Sequence, residues 1–189
     1  MSLKELTKEN HTNAERQEFV KVLFSGNIDP KLYATYLYNQ FPKYELLEVC
    51  AMQHGIFDDL KELPRSKAIH EDFIELWGKD NSEKPSLCPV TNEYMQYIMS
   101  IRHDPKKLMS HIYVRHMGDL SGGQMIAKRV PGSGNFYKFD TDIEDLKNRV
   151  RSKLDDSMAD EARVCFDYAT RFFKEMMELY NESSLANPD

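Results

Sequence analysis

Three glycines within six residues, Gly118, Gly122 and Gly123, interrupt a stretch that otherwise has helical spacing. Every three or four residues, one face of this stretch carries in turn Leu108, Ile112, Arg115, Asp119, Gly122 and Ile126. Each interior glycine costs a helix about 1 kcal/mol relative to alanine. A helix tolerates that cost where it bends, where another helix crosses closely, or where a flat group approaches its backbone. Because the glycines flank the acidic Asp119, the pattern favours a helix that lies against a planar cofactor.

The composition indicates one soluble domain. The chain has 189 residues, of which 41% are hydrophobic and 30% charged, as is typical of globular proteins. Its net charge of −6 argues against a nucleic-acid binder. No apolar run approaches the roughly 20 residues that cross a bilayer, and the N-terminus lacks the apolar core of a signal peptide. The cysteines Cys50, Cys88 and Cys165 are odd in number and far apart, which argues against disulfides and indicates the cytoplasm.

Helical periodicity predicts an all-α fold in which residues 1–182 form one domain and 183–189 a frayed tail. A capping box at Ser2 predicts a first helix that runs to Gly26, and Asp29-Pro30 opens a second, which Pro42 is expected to kink or split. Further helices are predicted over 66–77, 91–103, 105–130, 142–154 and 159–182. Asp104-Pro105 and a second capping box, Thr141-x-x-Glu144, open two of these, and residues 78–90 and 131–134 are predicted loops.

His11 and Glu15 lie four residues apart and therefore share one helical face. A histidine that binds a metal through one ring nitrogen usually donates its other N–H to a carboxylate or carbonyl. Lys8 points to the same side. A histidine on a charged helix is more often merely exposed, so both interpretations stay open from the spacing alone. No pair of the remaining histidines has chelating spacing, which argues against a zinc hydrolase.

Four cations alternate in the segment from Lys147 to Lys153. On a helix, Lys147 and Arg151 share one face, while Arg149 and Lys153 lie on another. A cationic pair at this spacing can bind carboxylates, with arginine supplying a forked donor. The alternative is a solvated face whose positive charges balance those of the nearby acidic residues over 140–145.

Together these segments resemble the heme oxygenase family over nearly the whole chain, in the family's order. The segment from Thr7 to Glu15, with His11 in its centre, matches the proximal heme-ligand segment. Tyr113 to Gln124 matches the distal-helix signature, and Lys147-x-x-x-Arg151-Ser152 matches the basic segment that faces the heme propionates. Phe166 and Phe173 match aromatic positions on the last helix.

The resemblance implies a multi-helix bundle that holds heme b, both cofactor and substrate, between a proximal and a distal helix. His11 would be the axial ligand of the iron, and the sixth position would remain open for O₂. Asp119, Gly118 and Gly122 would carry the catalysis, with Asp119 delivering protons through ordered water. The residues expected at the heme are Lys8, His11, Glu15, Tyr113, Gly118, Ser121, Gly122, Gly123, Lys147, Arg151 and Phe166. The implied products are biliverdin, CO and ferrous iron, with cleavage at the alpha-meso carbon as the family default.

Electrons are expected from outside the chain, because no Gly-x-Gly-x-x-Gly follows a strand and no flavin or NAD(P) site is predicted. A soluble member of the family would take them from ferredoxin, for which Arg149 and Lys153 are candidate docking residues. The membrane-bound members carry a C-terminal apolar anchor, and this chain ends at Asp189 without one, so the resemblance implies no membrane attachment.

Three positions depart from the family pattern and predict a rearranged distal network. His116 stands where an aromatic residue is expected, Phe41 stands in a stretch where a tyrosine contributes, and Ala169 replaces a polar residue. A heme carrier is the alternative function, although a carrier would not need Asp119 beside three glycines. A thiaminase-like hydrolase would need an activated cysteine, and none has a base at helical spacing.

Overall fold

The computed structural model describes residues 1–186, and within them every regular element is helical. The ten α-helices are α1 (Leu3–Leu6), α2 (Lys8–Glu15), α3 (Glu18–Phe24), α4 (Pro30–Gln53), α5 (Ser66–Trp77), α6 (Pro89–Ile101), α7 (Pro105–Leu120), α8 (Gly123–Ile126), α9 (Ile143–Arg151) and α10 (Ala159–Ala186). Two short 3₁₀ helices lie at Asn135–Tyr137 and Asp156–Met158. The predicted all-α class is confirmed, and the predicted 66–77 helix has the bounds of α5.

Local capping fixes where several helices begin. Ser2 and Glu5 form the predicted capping box, in which the Ser2 N–H donates to Glu5 Oε2 at 2.6 Å and the Glu5 N–H to Ser2 Oγ at 3.3 Å. Asp29 and Asp104 cap α4 and α7 through their side chains. Each is followed by a proline at the first helical position, where the missing N–H costs nothing.

The predicted first helix, from Ser2 to Gly26, is wrong, because the segment forms three short helices. Thr7 leaves the helical conformation, with φ −110° and ψ 6°, and its hydroxyl donates to the carbonyl of Leu3 at 2.9 Å. Gln17 is extended, with ψ 140°. Such side-chain bonds to the backbone compete with helix propagation. His11 therefore lies on a separate eight-residue helix, α2.

Pro42 lies inside α4 and does not split it, contrary to one of the two predicted outcomes. An interior proline costs a helix about 3 kcal/mol or more. Residues on either side of it are fully buried, among them Leu37 and Leu47, so packing along the whole helix offsets the loss.

The predicted 105–130 helix is also wrong, because α7 ends at Leu120. Ser121 adopts φ −110° and ψ −93°, and the chain resumes as the single turn α8. The glycine-rich stretch is thus a helix end followed by a new turn, not a continuous helix.

The start of α9 and the end of α10 also differ from the prediction. Asp142 caps α9 by accepting the Asp145 N–H at 2.7 Å, in place of the capping box expected at Thr141. Helix α10 continues to Ala186, past the predicted end at residue 182. The last three residues of the predicted tail, 187–189, lie outside the described residues.

Helix α10 is the common support of the elements that carry the predicted site. It packs against α2, α3, α6 and α7, while α4 packs against α5, α6 and α7. The helix of His11 and the helix of Asp119 therefore rest on the same long helix.

Candidate functional site

His11 presents an accessible imidazole from α2. Its side chain is 53% exposed, and its Nε2 lies 3.4 Å from Glu15 Oε1, within ion-pair distance. The ring of Phe166, on α10, meets the imidazole edge-on, with 5.7 Å between centroids. The geometry brings together the predicted ligand, its carboxylate and its aromatic neighbour. One ring nitrogen is oriented by Glu15, which leaves the other available to a metal.

Gly118 and Gly122 expose open backbone near the end of α7. A Cβ built on Gly118 would meet no atom within 4 Å, and one on Gly122 would meet only the Gly118 carbonyl oxygen, at 4.0 Å. Side chains at these two positions would fill the space over the backbone. The open cradle therefore fits a flat group such as a porphyrin.

Gly123 lies at a close contact between helices. A Cβ there would lie 2.6 Å from Cδ1 of Tyr137, so this glycine is needed for close packing on the 3₁₀ helix that carries Tyr137. Gln124 joins the end of α7 to the same 3₁₀ helix, because its side-chain amide donates to the carbonyls of Asp119, at 3.1 Å, and of Tyr137, at 2.8 Å. Ser121, between the two glycine positions, is exposed.

Asp119 is buried and bonded to one phenol. Its side chain accepts from the Tyr44 hydroxyl, which lies 3.0 and 2.9 Å from its two oxygens. Burial raises the pKa of Asp119 well above its usual range, although the Tyr44 hydrogen bond and the charges of Arg65 and Arg115 oppose the shift. The carboxyl group thus tends to keep its proton, as a proton-delivering group requires.

Tyr44 was missed in the sequence. The expected position for a tyrosine was Phe41, whose ring instead lies 5.0 Å from that of His70. The phenol comes from Tyr44, one helical turn later on α4. Spacing on α4 alone could not select it, because its partner Asp119 is 75 residues away.

A chain of hydrogen bonds runs from Arg115 toward the surface. The Arg115 Nε donates to the Tyr94 hydroxyl at 3.0 Å, and its guanidinium lies 5.3 Å from the Tyr44 ring. The Tyr94 hydroxyl lies 2.7 Å from His111 Nδ1, and His111 Nε2 lies 2.8 Å from Glu161. When Nε2 of His111 carries the proton, the Tyr94 hydroxyl donates to Nδ1 and Nε2 donates to Glu161. Each donor in this series of hydrogen bonds then points from Arg115 toward Glu161. Arg115 is therefore held beside the Tyr44–Asp119 pair.

His116 is fully buried and does not reach the open cradle. Its Nε2 lies 2.9 Å from Glu48 Oε1, and Glu48 also accepts the backbone N–H groups of Arg65, at 2.6 Å, and Ser66, at 3.1 Å. The histidine thereby connects α7 to Glu48 on α4 and, through Glu48, to the start of α5. Ala169, the third departure, is half-buried on α10.

Arg151, one of the predicted propionate residues, lies near Tyr113. Burial raises the pKa of Tyr113, while a hydrogen bond with Thr7 and the charge of Arg151 oppose the shift, so the three residues are close neighbours. Arg151 is exposed and bonds to Asn148 at 2.9 Å. Lys147 is less available, because its amine already lies 3.1 Å from Glu144. Lys8 is exposed, next to Thr7.

Arg149 and Lys153, the candidate docking residues for an acidic partner, form ion pairs within the chain. Arg149 binds Asp145 at 2.9 Å and Glu62 at 3.4 Å. Lys153 binds Asp59 at 2.8 Å. These cations are already paired within the chain.

Comparisons with known proteins show the family of the chain and its fold. The sequence profile of the heme oxygenase family matches residues 1–182. A heme oxygenase of Pyropia yezoensis is 30% identical over 97% of this chain and 86% of its own length. The structure of the heme oxygenase of Leptospira interrogans is 30% identical, with a TM-score of 0.80 over 93% of this chain and all of the other. Heme oxygenase-1 of Synechocystis, solved with heme, shares the fold at 24% identity, with a TM-score of 0.81 over 97% and 96% of the two chains.

The accessible histidine of α2 and the open glycine backbone of α7 fit the class of helical proteins that bind a planar ligand between helices. The chain belongs to the heme oxygenase family. It is therefore an enzyme, a heme oxygenase, with heme as its substrate and ligand. None of the helices among residues 1–186 combines the length and apolar character needed to cross a bilayer.

The cysteine-hydrolase alternative finds no support in the geometry. The thiols of Cys50, Cys88 and Cys165 are all buried. Cys165 has the Tyr94 hydroxyl within 3.7 Å, but it is 0% exposed and so out of reach of a substrate. Its surroundings are those of a packed core residue.

Proposed function

We propose that the chain binds heme between α2 and α7, with His11 on the proximal side, and cleaves it at the alpha-meso carbon. The products would be biliverdin, CO and ferrous iron. The observation that carries the proposal is the open backbone at Gly118 and Gly122, directly beside the buried Asp119–Tyr44 pair. This combination leaves room for a macrocycle and places a proton donor at its distal face.

His11 would bind the iron as a neutral imidazole. Glu15, 3.4 Å from the ring, would accept the N–H that the metal does not use. Phe166 restricts the rotation of the ring by its edge-on contact. When bound, heme supplies an iron centre at which O₂ can be reduced and directed to the porphyrin itself.

On the distal side, the residues provide space and protons. Gly118 and Gly122 place no side chain over the macrocycle, so nothing competes with O₂ for the open position. Asp119 would keep its proton because of burial and pass it on through ordered water. Tyr44 fixes the orientation of that carboxyl group by bonding to both of its oxygens.

The orientation of heme would be set at the opposite end of the cleft. Lys8 and Arg151, which is a neighbour of Tyr113, would bind the two propionates, and Lys147 would assist if it exchanges its bond with Glu144. Fixing both propionates fixes which meso carbon faces the oxygen. Cleavage at the alpha position is the expected result.

Electrons would come from an external donor such as ferredoxin. Arg149 and Lys153 would dock the donor by exchanging their ion pairs with Asp145, Glu62 and Asp59 for acidic groups on its surface. Acidic groups on a donor would be attracted to these two cations. The three free cysteines suit a reducing cytoplasm.

A hemin titration followed by reduction in air tests this function. We expect a Soret band to grow to one equivalent of hemin and then to decay into the broad red absorbance of biliverdin once ferredoxin and its reductase, or ascorbate, are added. A Soret band that survives reduction in air would instead identify a heme carrier. If His11→Ala bound hemin with an unchanged spectrum, the proximal assignment would be wrong.

A further inference from the structure

His116, on α7, packs against the ring of the residue that holds Asp119. The centroid of its imidazole lies 5.2 Å from that of the Tyr44 ring, and the two planes are tilted by 60°. The Tyr44 hydroxyl in turn lies 3.0 and 2.9 Å from the two carboxyl oxygens of Asp119. Although His116 does not reach the open cradle, it is therefore linked to the distal acid through Tyr44.

The orientation of the His116 ring depends on a hydrogen bond to Glu48, on α4. His116 Nε2 lies 2.9 Å from Glu48 Oε1, and the two side chains are 0% and 1% exposed. Within residues 1–186, the buried Nδ1 of His116 has no hydrogen-bond partner. Because hydrogen bonds are directional, the bond to Glu48 fixes how the ring faces Tyr44.

The surroundings of Glu48 decide which partner donates in this bond. Glu48 also accepts the backbone N–H groups of Arg65, at 2.6 Å, and of Ser66, at 3.1 Å. Burial raises the pKa of Glu48, but the hydrogen bond and the charge of His116, together with these two donors, hold it below its usual value. Glu48 is therefore a carboxylate at neutral pH, and His116 Nε2 carries the proton of the bond.

Glu48 also supports a second ring that contacts Tyr44. Arg65, whose N–H Glu48 accepts, donates from its guanidinium to the carbonyl of Phe136 at 3.3 Å. The Phe136 ring meets the Tyr44 ring edge-on, with 5.4 Å between centroids. The Tyr44 ring is thus contacted by His116 and by Phe136, and both are bonded to Glu48, one directly and one through Arg65.

Packing alone does not require a histidine at position 116. A phenylalanine would fill the space beside Tyr44 and Phe57 without burying a nitrogen that lacks a partner. What the histidine adds is a bond between α7 and α4 near the bond of Tyr44 to Asp119. On α4 the two bonded positions are four residues apart, and on α7 they are three apart, so both bonds join the same two helix faces.

We propose that His116 is a positioning residue for the distal acid. Its bond to Glu48 fixes the ring against which Tyr44 packs, and Tyr44 thereby keeps its hydroxyl on the carboxyl group of Asp119. The inference rests on the proposed function, in which Asp119 delivers protons. His116 itself exchanges no proton in this role.

The first test observes the Tyr44 hydroxyl proton by NMR in the full chain without heme. A buried, hydrogen-bonded proton exchanges slowly with water, and Tyr44→Phe identifies its signal by removing it. We expect this signal to shift or broaden in His116→Phe, which keeps a ring but cannot donate to Glu48. His70→Phe is the matched control, because His70 contacts the α4 ring of Phe41, at 5.0 Å, and should leave the signal unchanged.

Two results of this experiment would overturn the proposal. One is a Tyr44 signal that is the same in His116→Phe as in wild type. The other is an equal change in His70→Phe, which would mean that the signal does not depend on the bond between His116 and Glu48.

The second test is a double-mutant cycle on the rate of biliverdin formation from bound hemin. We expect His116→Phe to be roughly fivefold slower than wild type with unchanged hemin affinity, because orientation is lost rather than binding. Since His116 acts through Tyr44, adding His116→Phe to Tyr44→Phe should slow the reaction no further than Tyr44→Phe alone. Losses that multiply would show that His116 acts independently of Tyr44 and would overturn the proposal.

His116→Gln provides a second variant in case His116→Phe does not fold. Its amide can donate to Glu48, but it places no ring against Tyr44, so the same results are expected in both tests. Failure of the proposed function is recognised separately. In that case wild type itself would form no biliverdin from bound hemin, while the hydroxyl signal measured without heme would still report on His116.

Discussion

The Tyr44 hydroxyl donates to the carboxyl group of Asp119, lying 3.0 and 2.9 Å from its two oxygens, and joins α4 to the last turn of α7. Both residues are buried, at 2% and 6% exposure. The bond fixes the direction in which Asp119 can pass a proton. The position of the last turn of α7 therefore also depends on Tyr44, which lies 75 residues earlier in the chain.

Tyr44→Phe is expected to slow biliverdin formation roughly tenfold while leaving hemin affinity unchanged, because Asp119 loses the donor that orients it. The free energy of unfolding should fall by about 1 kcal/mol. Single-turnover absorbance and urea unfolding measure the two effects. Phe41→Leu is the matched control on α4, since Phe41 contacts His70 rather than Asp119. Equal losses in both variants would contradict the role of Tyr44.

Asp119 makes stability depend on pH in a defined direction. Its pKa is raised in the folded protein, so the folded chain binds a proton more tightly than the unfolded chain. The resulting stabilisation is complete below pH 3.8, the pKa of this carboxyl group in the unfolded chain. It is lost as the pH rises through the higher pKa of the folded protein. We expect the stability of Asp119→Asn not to fall in this way, so that the variant is more stable than wild type above the folded pKa of Asp119. Urea unfolding at a series of pH values from acid to alkaline measures the free energy of unfolding of both proteins.

The control for that experiment is Asp80→Asn, an exposed position in the loop between α5 and α6. It should leave the pH dependence of wild type unchanged. A wild-type stability that rises with pH while Asp119→Asn stays flat would show that burial does not hold the proton on Asp119.

Alanine at Gly118 and at Gly123 should have opposite consequences. Gly118→Ala adds a Cβ in open space, so the helix should gain up to about 1 kcal/mol while hemin binding weakens or the Soret band shifts. Gly123→Ala places a Cβ 2.6 Å from Tyr137 and should destabilise the fold by about 1–3 kcal/mol. Thermal unfolding and hemin titration separate the two. Normal hemin binding by Gly118→Ala would remove this glycine from the heme face.

Arg151→Ala is expected to weaken hemin binding by about 1–3 kcal/mol, because one propionate loses a charged donor. It should also release a fraction of biliverdin isomers other than alpha, which chromatography of the product detects. Arg149→Ala is the control, since that side chain is committed to Asp145 and Glu62. If both variants gave only the alpha isomer, the propionate contacts would lie elsewhere.

The sequence predicted what depends on local chemistry. The caps at Asp29 and Asp104, the bounds of α5 and the pairing of His11 with Glu15 follow from neighbours within four residues, and the structure confirms each. The capping box at Ser2 predicts where the first helix begins, but not that it ends at Thr7, where the hydroxyl bonds to the carbonyl of Leu3.

Contacts between distant segments were out of reach of the sequence. Tyr44 finds Asp119, and His111 finds Glu161, only after the helices have packed. The ion pairs of Arg149 with Glu62 and of Lys153 with Asp59 could not be predicted, because the partners lie far apart in the sequence. Periodicity places a residue on a face, but it does not identify what that face meets.

The most direct test of the central claim is to measure CO and released iron in a single turnover of wild type loaded with hemin, beside Asp119→Ala. The account predicts one equivalent each of CO, ferrous iron and biliverdin per hemin consumed by wild type, and little biliverdin or CO from Asp119→Ala despite normal hemin binding. Loss of hemin without CO in wild type, or full CO yield from Asp119→Ala, would contradict it.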